Sequence, residues 1–506
     1  MGISQLIKRK SLDRIGRDAE SAGEIHLKRS LGAFDLVSLG IGAVIGSGIF
    51  AVVGTAAAGD ATHLGAGPGV SLSFILTAVA CVFCAFCYAE FAALVPISGS
   101  AYTYSYATLG EVVAWIIGWV LILEYGIGNV AVAIGWSAYC HQLLAGLGMH
   151  VPAWLSVDYR TAHQAAHAVA AVGGTVAPNL ALAFDAWSKA PLIGGIHVVF
   201  NFLAFAVVAF VTWILVIGVK ESARFNNVMV VLKLAIFAFF IGVGAFYVKP
   251  ENWSPFMPNG FAGVWTGASL IFFAFIGFDA VSTAAEESRN PGRDLPIGII
   301  GSLIICTIIY IATALVLTGI EPWNRLGVAD PLAAVFARSG MNWAAGIVSL
   351  GAVISMTAVL LVFQLGQPRI FYSMSRDGLL PKSFARVHAR FRTPHVITIW
   401  SGAAVGILAA VANINEAVEL TNIGTLFAFV LVCAGIIILR RTEPGRPRVF
   451  KTPLVPLVPI LGIAMCIYLM LGLPRVTWAR FGIWLAVGFC LYFAYGFWHS
   501  LLKKSA

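Results

Sequence analysis

Apolar runs of roughly 20 residues recur along almost the whole chain, and each is long enough to cross the hydrocarbon core of a bilayer. Twelve can be delimited: 33–57, 70–94, 111–144, 196–219, 226–248, 263–285, 297–320, 342–373, 396–412, 418–440, 454–474 and 479–501. Of the 506 residues, 59% are hydrophobic and only 11% charged, against about 25% charged in an ordinary soluble domain. The sequence therefore predicts an all-α integral membrane protein with twelve transmembrane helices.

The formal charge of +9 is concentrated where it sets topology. Basic residues crowd the segment before the first span (Lys8, Arg9, Lys10, Arg14, Arg17, Lys28, Arg29). They crowd again after the eighth span (Arg376, Lys382, Arg386, Arg390, Arg392) and after the tenth (Arg440, Arg441, Arg446, Arg448, Lys451). Twelve spans put all three regions, and both termini, on one side, which the positive-inside rule makes cytoplasmic. Charge placed in this way orients a membrane protein and attracts anionic lipid; it does not describe a nucleic-acid partner. Residues 1–32 read as a basic, amphipathic cytoplasmic segment rather than a cleavable signal peptide.

Cysteine and histidine usage points away from metals. All eight cysteines fall inside predicted spans. The spacing of Cys81, Cys84 and Cys87 keeps three small residues on one helix face, which suits close helix packing, and the sequence places no fourth ligand beside them. His150, His163 and His167, in the long connection 145–191, are irregularly spaced and read as solvated. Neither a metal nor a cofactor is expected. No nucleophile–base arrangement or nucleotide loop indicates an enzyme.

Two spans are interrupted in the same way. The first breaks at Gly46-Ser47-Gly48, and the sixth at Phe275-Ile276-Gly277-Phe278-Asp279. Unwound backbone cannot face lipid, so such breaks belong inside protein or beside a wet cavity. A matched pair, one in each half of a transporter, marks a substrate site near the membrane midplane. The spans divide into two sets of five, which predicts an inverted repeat: 33–250 for spans 1–5 and 251–440 for spans 6–10. Residues 441–506 then hold two accessory spans, and residues 331–340 read as a short helix over the entrance.

The chemistry of the breaks suits a zwitterion. Free N–H groups at the start of a half-helix, aided by its dipole, suit a carboxylate. Ser47 adds a hydroxyl, and Gly46 and Gly48 permit close backbone approach. Carbonyls ending the preceding half-helices, at Val44, Phe273 and Ile276, suit an ammonium. GxG motifs also mediate plain helix packing; finding two interruptions, rather than one, favours a site. Of the rings around the second break, Phe273 is the candidate gate. Ionisable residues inside spans are functional hypotheses by default. Lys233 lies deep in the fifth span, where an apolar setting disfavours its charged form and lets it cycle. Glu124, within the third span, is a weaker candidate for proton movement, and Asp279 reads as a cap on the second break. Glu286 and Glu287 read as part of a cytoplasmic gate.

Three motifs resemble the amino acid–polyamine–organocation superfamily, in particular bacterial members of its cationic amino acid transporter branch. They are residues 42–50 (GAVIGSGIF), 272–296 (FFAFIGFDAVSTAAEESRNPGRDLP) and 367–381 (QPRIFYSMSRDGLLP). The resemblance implies a five-plus-five inverted repeat with unwound helices 1 and 6, and alternating access. It implies that Ser47 and Gly48 hold the substrate carboxylate, and that carbonyls of Val44, Phe273 and Ile276 hold its amine. It also implies that Phe273 occludes the site, and that Lys233 replaces the sodium ion of sodium-coupled relatives. Met356 falls where relatives line the side-chain pocket.

The expected activity is proton-coupled import of an L-amino acid, cationic (Lys, Arg or ornithine) or small and neutral. An exchanger and a non-transporting sensor are the alternatives. The expected partners are the amino acid, the proton and the bilayer of a bacterial plasma membrane. The sequence leaves open a small membrane subunit.

Overall fold

The computed structural model describes residues 31–94, 100–171, 176, 180–218, 223–391 and 393–504. The basic segment 1–32 lies almost wholly outside the described residues, as do the side chains of Arg224 and Glu286.

The first predicted span is broken. Helix α1 (Ala33–Val44) starts where the Asp35 carboxylate accepts the Gly32 N–H at 3.0 Å, satisfying a donor the helix leaves free. It ends at Val44; a π-helical turn, Gly48–Val52, leads into α2 (Val53–Ala58), and the two halves meet at 42°. Next come α3 (Val70–Leu94), the short α4 (Ser100–Thr108) and α5 (Glu111–Gly146), the most enclosed of the long helices. The connection 145–191 is itself folded into α6 (Tyr159–Ala171) and α7 (Ala181–Ser188). A hairpin comes next, β1 (Leu192–Ile193) with β2 (Ile196–His197). These pieces share a small alanine-rich core and are tied to the spans by Arg160–Glu416 at 2.8 Å and Asn413–Thr161 at 2.9 Å.

The chain continues through α8 (Phe202–Ile217), α9 (Ala223–Ala245) and α10 (Gly260–Ile271). After α10 come two 3₁₀ segments, Phe272–Phe275 and Phe278–Glu287. Beyond them lie α11 (Pro291–Ile320), α12 (Pro331–Arg338), α13 (Asn342–Arg376) and α14 (His395–Val411), and finally α15 (Ile414–Thr442), α16 (Leu457–Leu471) and α17 (Arg475–Leu491). The sixth predicted span is thus interrupted as expected, but the segment beyond its break is 3₁₀ rather than α-helical.

Among the described residues eight helices are long and apolar enough to cross a membrane, nine counting the bent first pair. The twelve expected spans include three more, matched by α8, α14 and α16, which are apolar but only 16, 17 and 15 residues long. The fourth span starts at Phe202 rather than 196 because the Asn201 side chain caps α8, accepting the Ala204 N–H at 3.0 Å. Of the residues before it, Ile196 and His197 form the second strand of the hairpin. The helix expected over 331–340 is α12.

Small residues bring the helices together. A Cβ on Gly40 of α1 would lie 2.4 Å from Ser302 Oγ on α11, and one on Gly298 would lie 2.8 Å from Leu36 Cβ. Cys84 of α3 lies 3.4 Å from Cys466 of α16 and 3.9 Å from Cys433 of α15. The cysteine stripe therefore does meet further thiols, from residues remote in sequence. Among the described residues no group of three or more His, Cys, Asp or Glu is arranged to hold a metal ion. His163 and His167 face each other at 3.2 Å on an exposed helix face.

Each end of the bundle carries a polar clasp. At the end bearing the basic loops, Glu90 of α3 is fully buried. It takes Arg440 Nε at 2.8 Å, Arg448 Nε at 3.2 Å and the Thr452 N–H at 2.8 Å. Removing one member of a buried charge cluster leaves the others uncompensated, at about 3–5 kcal/mol. Glu90→Ala is therefore expected to lower the melting temperature of the purified protein sharply, while a control at exposed Lys382 leaves it unchanged.

At the opposite end His63, after α2, meets Asp60 at 3.1 Å and Glu419 of α15 at 3.7 Å. Burial disfavours the charged imidazole, but the Asp60 hydrogen bond and the charges of Asp60 and Glu419 outweigh it and raise the His63 pKa above its ordinary 6.5. Burial likewise works against the Asp60 carboxylate, yet His63 and Thr62 hold its pKa down, to about 2. A raised histidine stabilises the fold below its ordinary pKa and loses that contribution as pH rises through the folded value. The lowered Asp60 contributes above its ordinary pKa and loses its part as pH falls toward 2. The thermal stability of the wild type should therefore fall as pH rises above about 6.5, the ordinary histidine value, and through the raised one. His63→Gln should flatten that slope, and an unchanged slope would contradict the clasp.

Candidate functional site

The two breaks pack against each other reciprocally. A Cβ on Gly48, just past the first break, would fall 2.3 Å from Ala274 Cα, just before the second. Gly277, at the second break, has φ +117°, a conformation other residues avoid. A Cβ there would lie 2.9 Å from the backbone of Ala43. Each glycine rests on the helix end of the other span, so no side chain fits at either place. The unwinding itself is local: Ile45 is extended (φ −75°, ψ 97°), as is Ile276 (φ −62°, ψ 133°).

The helix ends so created present carbonyls, and buried donors meet them. Lys233 of α9, only 2% exposed, places its Nζ 2.6 Å from Gly42 O and 3.0 Å from Ile45 O, at the end of α1. Cationic groups are favoured at that pole of a helix. No carboxylate pairs with this amine among the described residues. Ser355 Oγ donates to the same Ile45 carbonyl at 3.4 Å. At the end of α10, Asn422 of α15 donates from Nδ2 to Ser269 O at 2.8 Å and Leu270 O at 2.9 Å. Between the breaks, the fully buried Tyr310 of α11 places its hydroxyl 3.0 Å from Val44 O and 2.9 Å from Ala274 O. The Val44 carbonyl, expected to await an ammonium, is thus shared with Tyr310 in this conformation.

Ser47 stands differently. It is 1% exposed, and its Oγ is buried without a hydrogen-bond partner. Buried hydroxyls are normally satisfied, so Ser47 has hydrogen-bonding capacity to spare in this conformation. Gly135 of α5 opens onto the same spot: a Cβ there would lie 3.1 Å from Ser47 Cβ and 3.4 Å from Met356 Sδ. Gly46 faces Val359 of α13 in the same way, at 3.2 Å. Ser47, Met356, Val359 and the cleared face at Gly135 therefore converge on one small, mostly apolar locus.

Phe273 is 5% exposed and Ile276 2%, so the site is closed in this conformation. Phe272 packs its ring on Phe429, and Phe275 packs on Phe74 and Tyr310. Phe273 alone of the three makes no ring contact among the described residues, though it too is buried in the core.

Not every predicted residue joins this locus. Glu124 is buried in α5 eleven residues before Gly135, about 16 Å along the helix, and its electrostatic neighbour is Asp279. Glu124 therefore lies well away from Met356 along α5. Asp279 sits as expected, with its carboxyl against the backbone of Gly277 and Ala280 at the second break. Glu287 joins the chain ahead of α1 through its carbonyl, which accepts the Leu31 N–H at 3.0 Å. Sequence reasoning missed Tyr310, Asn422, Ser355 and Gly135.

Broken spans packed break to break inside an apolar helical bundle define a multi-pass membrane transporter rather than an enzyme. Residues 31–494 match the amino acid permease family, and the chain belongs to it. A branched-chain amino acid permease of Bacillus subtilis is 47% identical over 487 residues, 96% of this chain and 97% of that protein. A methylthioribose transporter of the same organism is 45% identical over 502 residues, covering 99% of this chain and all of that protein. A chloroplastic cationic amino acid transporter of Arabidopsis thaliana is 39% identical over 421 residues, 82% of this chain and 67% of its own length.

A side chain added at Gly135 would occupy the locus and press on Ser47 and Met356. Gly135→Val is expected to abolish ligand-induced thermal stabilisation while leaving the melting temperature of the empty protein within a few degrees. Gly135→Ala should weaken the response only in part.

Proposed function

We propose that this protein is a proton-coupled importer of an L-amino acid with a neutral aliphatic side chain, working by alternating access in a bacterial plasma membrane with both termini cytoplasmic. The observation that carries the reading is the Lys233 amine lodged on the Gly42 and Ile45 carbonyls at the first break. In the proposed cycle the substrate carboxylate meets Ser47 and the N–H groups after Gly46 and Gly48. Its ammonium meets the carbonyls of Val44, Phe273 and Ile276, displacing the Tyr310 hydroxyl from Val44. Phe273 closes over the ligand. Lys233 holds α1 when charged; loss of its proton toward the cytoplasm releases that end of the helix and lets the bundle return. Glu124, beside Asp279, is a secondary element of the proton route.

Support for a neutral side chain comes from the locus at Met356, Val359 and Gly135, where the described residues offer no charged partner; a buried cation there would be costly. The similarity to a permease named for branched-chain amino acids fits this reading. The short helices α8, α14 and α16 complete twelve crossings, with spans 1–5 (33–250) and 6–10 (251–440) forming an inverted repeat and 441–506 accessory. Lys233 on the fifth span and Asn422 on the tenth, each capping the broken span of its own set, support that symmetry.

The similarity to a methylthioribose transporter favours a second reading, in which the ligand is a thioether sugar lacking both the carboxylate and the ammonium that the breaks suit. A thermal-shift screen of the proteinogenic amino acids together with methylthioribose decides between the two. Stabilisation by valine, leucine or alanine is expected. Stabilisation by methylthioribose alone would reverse the assignment. In proteoliposomes, uptake of the best binder should collapse with a protonophore and survive replacement of sodium. Lys233→Ala should lose accumulation at least tenfold while retaining exchange. Strict sodium dependence would refute the role of Lys233.

A further inference from the structure

Along the surface of α11 that turns away from the site, two hollows of about 590 and 510 Å³ meet at Ile304. The first begins at Arg293 and is closed at that end by Val449 and Phe450. The second continues between α11 and α3 as far as Ile311. From Arg293 to Ile311 the helix rises about 27 Å, close to the thickness of a bilayer's hydrocarbon core. The floor at the Arg293 end is firm. Phe450 stacks on Phe86 of α3, with planes 9° apart, and Val449 lies over Gly292, where a Cβ would come within 2.7 Å of it.

The groove is apolar and its mouth is charged. Among its lining side chains the Thr307 hydroxyl is spent on Leu303 O at 2.7 Å, so the walls offer nothing to water. At the mouth Arg293 is exposed and makes no ion pair among the described residues. Lys451, also exposed, comes directly after Val449 and Phe450. Acids in the neighbouring sequence are engaged or withdrawn: Glu443 pairs with Arg446, Glu90 with Arg440 and Arg448, and Asp294 is buried. An apolar channel of membrane length with a positive mouth at its basic end complements one chemistry, an acyl chain attached to a phosphate. Basic pockets beside transmembrane helices recognise anionic headgroups on this principle.

We propose that this groove binds an anionic glycerophospholipid, with an acyl chain along α11 and its phosphate between Arg293 and Lys451. The site has a route to the breaks. Its helix carries Tyr310, which ties Val44 to Ala274, and packs on α1 at Gly40 and Gly298. Lipid seated on the back of α11 therefore steadies the wall against which the first span rocks.

Native mass spectrometry of the detergent-purified protein, with phosphatidylglycerol and phosphatidylcholine of identical chains, tests the assignment. The wild type should retain one phosphatidylglycerol in preference to phosphatidylcholine. Arg293→Gln should weaken that retention about fivefold, and adding Lys451→Gln should weaken it again by a similar factor, leaving the two lipids indistinguishable. Ile304→Trp, which fills the junction of the hollows, should lower retention of both lipids without changing their ratio. Equal retention of the two lipids by the wild type, or a preference that survives the double substitution, would overturn the proposal. So would a dimer in the native spectrum that Ile304→Trp converts to monomer, because the groove would then be a seat for a second copy of the chain.

Discussion

Backbone carbonyls at the end of a helix buried away from water must find donors, and each broken span of this permease creates such an end deep in the bundle. Leaving these groups unmet costs as much as a lost hydrogen bond each, so the breaks persist only because neighbouring helices supply donors at fixed places. Lys233 does this for the first span and Asn422 for the second, while Tyr310 ties the two together. The glycines at positions 48 and 277 then let the unwound segments touch. Without donors of this kind the unwound carbonyls would be left unmet inside the bundle.

The two caps are alike in position and unlike in chemistry. Asn422 donates as a permanently neutral amide. Lys233 donates more strongly while it carries a proton, and without one it keeps fewer donors for the two carbonyls it holds. Of the two ends, only that of α1 is therefore held by a group whose grip depends on protonation. A transporter that rocks around a fixed site needs one joint to loosen and another to stay, and the proposed cycle assigns those parts to Lys233 and Asn422. The unpartnered Ser47 hydroxyl comes two residues after Ile45, whose carbonyl Lys233 holds, so the proposed ligand contact and the proposed proton contact share one short stretch of backbone.

Much of this was legible in the sequence because the bilayer makes long apolar runs and their interruptions hard to disguise. Both breaks, the helix over 331–340 and the depth of Lys233 follow from hydropathy and glycine placement. Span limits were less legible where apolar residues serve other structures: Ile196 opens the fourth run but joins Leu192 and Ile193 in an exposed hairpin. The 3₁₀ winding after Gly277 leaves no mark in residue type. Tyr310, Asn422 and Gly135 act through tertiary contacts, and a single polar or small residue in an apolar run has no spacing to give it away. The thiols of Cys433 and Cys466 reach Cys84 only through the packing of α3, α15 and α16. That Gly135 is the residue of α5 facing Ser47 can likewise be read only from the packing.

Proton coupling through the first break requires that substrate binding change the protonation of Lys233. Isothermal titration of the preferred amino acid in two buffers of different ionisation enthalpy, at one pH near neutrality, counts the protons exchanged on binding. A non-zero count is predicted for the wild type and none for Lys233→Met, with binding still measurable. Equal counts in the two proteins, or no proton exchange in the wild type at any pH between about 5 and 9, would rule the coupling out.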